Sequence, residues 1–163
     1  MPRYRRYRRS YPISRSLRTT KYSNETYIFN NLNTVYTTEN TYRVGMIPST
    51  TTMGTRKCKN FTLTLSTVPL VPFLFALVFV PEGTQAGNIT LPSNSTPVSL
   101  YEPNQNVIMS GIFGGPNGTV SRFKSRLARN LNSGDNIYFI IKPIQDYDQG
   151  APITALLNYA VAF

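Results

Sequence analysis

The stretch RKCKNFTLTLST at 56–67 is where the fold class becomes legible. Phe61, Leu63 and Leu65 fall on one face of it, and Asn60, Thr62 and Thr64 on the other. A period of two belongs to an extended chain with one dry and one wet side. Shortly after it, FLFALVFV (73–80) is apolar without interruption, the pattern of a strand covered on both faces. The wider run VPLVPFLFALVFVP (68–81) contains Pro69, Pro72 and Pro81. At 14 residues it falls short of the ~20 a helix needs to cross a bilayer.

Further strands are expected on either side of this pair. TYIFNNLNTVYT (26–37) and TYRVGMI (41–47) are rich in Thr, Tyr, Val and Ile, and Pro48 closes the second. PEGTQAGNITLPSNSTP (81–97) is a polar loop, 98–101 a short strand or turn, and NVIMSGIF (106–113) a strand. Gly114-Gly115-Pro116-Asn117-Gly118 is a turn. Residues 119–131 (TVSRFKSRLARNL) read two ways. As a strand they align Arg122, Lys124 and Arg126; as a helix, Arg122, Arg126 and Arg129 lie opposite Phe123, Leu127 and Leu131. The hairpin-like Asn132-Ser133-Gly134-Asp135 leading into IYFIIKPI (137–144) favours the strand. QDYDQGAP (145–152) reads as a loop, and ITALLNYAVA (153–162) as the last strand. About eight strands with no firm helix make an all-β sandwich of jelly-roll size. Loops 48–55, 81–97 and 145–152 are the candidates for exterior positions.

Charge divides the chain in two. Of 17 Lys and Arg, eight lie in the first 21 residues: Arg3, Arg5, Arg6, Arg8, Arg9, Arg15, Arg18 and Lys21. The first acid is Glu25, so most of the net charge of +10 sits in an arm at 1–21, ahead of a nearly neutral domain at 22–163. The arm has too little apolar surface to offset the entropy of ordering and reads as disordered when free. Its guanidinium groups suit phosphate, and the interleaved Tyr4, Tyr7 and Tyr11 suit stacking on unpaired bases. The run of Arg3, Arg5, Arg6, Arg8 and Arg9 would also pass for a nuclear-import signal, with a nuclear-import receptor as the expected partner. Two more basic clusters, Arg56, Lys57 and Lys59, and Arg122, Lys124, Arg126 and Arg129, are either scattered surface charge or one nucleic-acid-facing surface continuous with the arm.

Catalysis finds little support in the sequence. The chain has no His and a single Cys, which removes the common triads and imidazole metal sites, so no enzyme, metal or cofactor is expected. Asp146 and Asp148 are a weak candidate pair for a hard cation. The glycine run at 114–118 lacks the Gly-Lys-Ser/Thr of a phosphate loop. Cys58 has cationic neighbours of the kind that lower a thiol pKa, but a plain structural thiol is the favoured reading. It has no intrachain disulfide partner, and residues 1–21 lack the apolar stretch expected of a signal peptide. The Asn-x-Ser/Thr triplets at Asn24, Asn60, Asn88, Asn94 and Asn117 are expected by chance in a chain so rich in Asn and Thr.

MPRYRRYRRSYP (1–12), RKCKNFTLTLS (56–66) and the segments from VIMSGIF to LNSGDNIYFIIK (107–142), in that order, resemble capsid proteins of small circular Rep-encoding single-stranded DNA viruses, the nanovirus and circovirus group. The resemblance spans the chain as a pattern of organisation and contains no strict motif. It implies eight strands B to I in sheets BIDG and CHEF, and a T=1 icosahedron of about 60 subunits with DNA-packaging arms inward. It also implies a location in the virion and, during assembly, the host nucleus. Circovirus capsid proteins are longer, which implies a smaller, smoother shell here. About 60 copies at +10 carry roughly 600 charges, and all 17 basic groups together roughly 1,000, the order of a kilobase of single strand. A coat protein of a small or satellite single-stranded RNA virus would share this plan. The third reading is a cellular basic-tailed β-domain that binds nucleic acid.

Overall fold

The computed structural model describes residues 21–51, 54–67, 72–88, 106–115 and 119–162. Eight strands run through them: β1 (Ser23–Tyr36), β2 (Tyr42–Ile47), β3 (Arg56–Thr67), β4 (Phe73–Val80), β5 (Asn106–Phe113), β6 (Val120–Leu131), β7 (Asn136–Pro143) and β8 (Tyr147–Ala162). They form two antiparallel sheets, ordered β1-β8-β3-β6 and β2-β7-β4-β5. Lettered B to I along the chain, these are BIDG and CHEF, the strand order of a jelly roll. The described residues contain no helix, and the two-way stretch is a strand over Val120–Leu131. The expected segment 98–101, the end of the turn at 116–118, and Arg3, Arg5, Arg6, Arg8, Arg9, Arg15 and Arg18 of the arm lie outside the described residues.

The two signals that gave the fold class account for much of the core. From β3, Cys58, Phe61, Leu63 and Leu65 are buried between the sheets, against Leu157 and Tyr159 of β8. β4 is covered on both faces, as its unbroken apolar run requires. Phe73, Phe75 and Leu77 enter the inter-sheet core, while Ala76, Val78 and Val80 pack with Ile140 and Ala86 on the outer side. Aromatic rings bridge the sheets, since Phe75 of β4 lies 4.5 Å from Phe123 of β6 between centroids. Gly111 of β5 makes room for this contact. A Cβ there would stand 3.0 Å from the Phe75 ring and 3.2 Å from that of Phe123.

One expected loop is a strand. Residues 147–152 extend β8 along the end of β1, with Ala151 opposite Thr34 and Tyr147 opposite Tyr36. The pairing of β8 with β3 ends at Thr67 and Ile153. Beyond that point β8 has a partner on one side only, so Pro152 sits where a missing N–H is tolerated. Asp146, just before the extension, accepts the Thr38 backbone N–H at 2.6 Å, and this bond holds its carboxyl below the usual range. Of the other exterior-loop candidates, 81–88 is described and partly folds back on the β4 side through Ala86.

The β6–β7 turn is tied in by Asp135, which is 5% exposed. Its carboxylate accepts the backbone N–H of Asn132 at 2.7 Å and of Glu82 at 3.1 Å, linking this turn to the one after β4. Gly134 adopts φ +85°, and a Cβ there would collide with the Glu82 side chain.

Candidate nucleic-acid interface

β3 and β6 are adjacent and antiparallel, which brings together two basic clusters more than 60 residues apart in sequence. Thr64 lies opposite Arg122, Thr62 opposite Lys124, Lys59 opposite Ala128 and Lys57 opposite Asn130. Strand alternation then puts Lys57, Lys59, Arg122, Lys124 and Arg126 on the outer face of the β1-β8-β3-β6 sheet. Lys57, Arg122, Lys124 and Arg126 are exposed, and Lys59 is partly so. Neither β3 nor β6 contains an acid to offset them. Glu25 of β1 is paired with inward-facing Tyr159, whose hydroxyl donates to it at 2.5 Å. Burial first, then this bond, drives the Tyr159 phenol far above its ordinary pKa.

A local irregularity keeps the lysines in water. Extrapolated backward from Phe61, strict alternation would turn Lys59 and Lys57 into the core and Cys58 outward. At Asn60, however, φ is +56° and the register with both neighbouring strands shifts. Asn tolerates this left-handed conformation better than most side chains. The bulge reverses the alternation, so Cys58 is fully buried while Lys57 and Lys59 face out. Burial pushes the Cys58 thiol up to about 11, and the nearby Arg56 charge only partly opposes this. The thiol is therefore structural, and the cationic neighbours noted in the sequence do not activate it.

The clusters divide by strand face. Arg56 and Arg129 stand on the inward alternation, opposite Leu131 and Cys58 respectively. The Arg56 guanidinium donates to the Pro48 carbonyl at 2.9 Å, and that of Arg129 to the Ala128 carbonyl at 3.1 Å. The Nε atoms of both are buried without a hydrogen-bond partner among the described residues. Arg56 thus ties the start of β3 to the end of β2, and neither arginine belongs with the five outward cations.

The arm joins the basic face at its root. Lys59 Nζ sits 3.6 Å from the centroid of the Tyr22 ring, next to exposed Lys21. Such a cation–π contact at the surface is worth about 0.5–1 kcal/mol. It anchors the start of the described chain on the face that carries the cations.

Two shallow depressions lie on the same face, on either side of Asn60. One, of about 210 Å³, lies between β3 and β6 and is lined by Asn60, Phe61, Thr62, Lys124, Ser125 and Arg126. The other, of about 280 Å³, opens toward β8 and β1 and is lined by Asn24, Asn60, Thr62, Asn158, Tyr159 and Ala160. The sequence reading missed Asn24, Thr62 and Asn158 as surface-site residues. The one available signal was the break in alternation at Lys59-Asn60. Among the described residues no cluster of three or more His, Cys, Asp or Glu occurs.

No family profile and no curated protein matches this chain. Solved structures that resemble it include those of infectious bursal disease virus, Gx strain (8% identity) and Gt strain (9% identity). Each match has a TM-score of 0.40 and covers 85% of this chain and 36% of the other. The chain thus spans little more than a third of the length of those it matches. The jelly-roll assignment rests on strand order alone.

Proposed function

We propose that this chain is a viral capsid protein, with a structural and non-enzymatic role. In this reading it self-assembles into a small T=1 shell of about 60 subunits and packages single-stranded DNA. The observation that carries the reading is the acid-free β3–β6 surface of Lys57, Lys59, Arg122, Lys124 and Arg126 on a jelly roll, joined at Tyr22 to the arginine-rich arm. Jelly rolls also serve as lectins and cupins. A cupin metal centre built on imidazole is unavailable without His, and a polycationic arm suits a polyanionic cargo better than a neutral sugar.

The arm neutralises phosphate and the domain face extends the same field, so the packaged strand meets a continuous cationic surface. DNA is favoured over RNA by the resemblance to circular single-stranded DNA virus capsids. That choice also assigns the chain to the virion and, during assembly, to the host nucleus through its import receptor.

Purified full-length protein is expected to form uniform particles by negative-stain imaging, with cargo degraded by DNase and resistant to RNase after particle opening. A monodisperse monomer at high concentration, with or without nucleic acid, refutes the capsid reading. RNase-sensitive cargo moves the assignment to an RNA virus coat protein.

A further inference from the structure

The two depressions flanking Asn60 differ in chemistry. On the β6 side, Lys124 and Arg126 stand beside the Ser125 and Thr62 hydroxyls. On the β8 side there is no cation, and three carboxamides from three strands, Asn24, Asn60 and Asn158, surround one opening with Thr62. Neither depression is lined by an acid. They share Asn60 and Thr62, so they adjoin on the sheet face.

We propose that this pair is an ordered nucleotide subsite for single-stranded nucleic acid. Lys124 and Arg126 hold a phosphate, and the carboxamides of Asn24, Asn60 and Asn158 hydrogen-bond the edge of the adjoining base. The inference rests on the nucleic-acid-binding reading and adds to it a contact that depends on the base.

A phosphate offers only acceptors, which ammonium and guanidinium groups satisfy. A base edge offers donors and acceptors side by side, and a carboxamide presents the matching pair. In a single strand that edge is free. The Asn158 carbonyl already accepts the Thr26 hydroxyl at 2.6 Å, which fixes the side chain and leaves its amide hydrogens as donors. Asn24 and Asn60 are exposed, with no side-chain hydrogen bond among the described residues. Glycine would satisfy φ +56° at lower steric cost. Asparagine at this position places a carboxamide where the two depressions meet.

The test measures binding of the full chain to a fluorescent oligodeoxynucleotide and to an abasic strand of the same length, across a salt series. Stacking by the arm tyrosines is common to every variant and cancels in the comparison. Asn60→Gly keeps the backbone conformation, and Asn24→Ala alters an exposed side chain on an outer strand, so the second remains informative if the first fails to fold. Each is expected to weaken the base-bearing strand by about threefold to tenfold, with the abasic affinity and the salt slope unchanged. Arg126→Ala is expected to weaken both strands and flatten the slope by about 0.7.

Equal weakening of both strands by the asparagine variants, or no weakening of either, overturns the subsite. If particles still form and bind nucleic acid in a salt-dependent way, the capsid reading survives that result. Absence of particles and of binding to either strand overturns both.

Discussion

Replacing Arg122, Lys124 and Arg126 together by alanine removes three exposed cations from the outer face of β6 and nothing from the core. Each phosphate neutralised on a single strand releases condensed counterions and contributes about 0.7 to the slope of log K against log salt. A variant that leaves three phosphates unneutralised should therefore flatten that slope by about 2. If the difference vanishes near 1 M salt, the same arithmetic gives an affinity loss of about 50-fold at 0.15 M. The assay is fluorescence anisotropy of the full chain with a single-stranded oligonucleotide at several salt concentrations. Thermal unfolding of the same variant serves as the control, because substitutions at exposed sites usually shift stability by less than ~0.5 kcal/mol. A slope change below about 0.7, less than one phosphate, in a variant that unfolds like the parent refutes the claim that this face meets nucleic acid.

The fold can be probed at two buried groups. Asp135→Ala leaves the N–H groups of Asn132 and Glu82 without their acceptor and is expected to cost about 2–4 kcal/mol in denaturant unfolding, whereas Asp135→Asn keeps one acceptor oxygen and loses less. Stability should also fall in alkali. The folded Cys58 thiol has its pKa raised from 9.0 to about 11, so between those values the unfolded chain has released a proton that the folded chain retains. The contribution is complete below pH 9 and is lost as pH rises through 11, and Cys58→Ala should show a shallower decline in Tm over that window.

The strands were legible wherever burial imposed a pattern. The alternation of 56–67 and the apolar run of 73–80 placed β3 and β4 to the residue, because each face of those strands must match its surroundings. The extension of β8 over 147–152 was not legible, because its Gly, Pro and acidic residues carry turn signals. It forms a strand because the end of β1 supplies a partner there, and long-range pairing outweighs local preference. For 119–131, both periods fit the sequence, and only the pairing of β6 with β3 excludes the helix.

For the candidate site, the order of residues was enough to supply the inventory: a polycationic arm, two basic clusters, one cysteine, and no histidine. Composition and local spacing suffice for that, since charge needs no fold to be counted. Folding selected which cations act together. Register brought Lys57 and Lys59 beside the cations of β6, while strand parity set Arg56 and Arg129 on the inward alternation. The left-handed turn at Asn60 put the lysines in water and Cys58 in the core. These outcomes depend on hydrogen bonds between strands far apart in the chain, and no local pattern encodes such pairings.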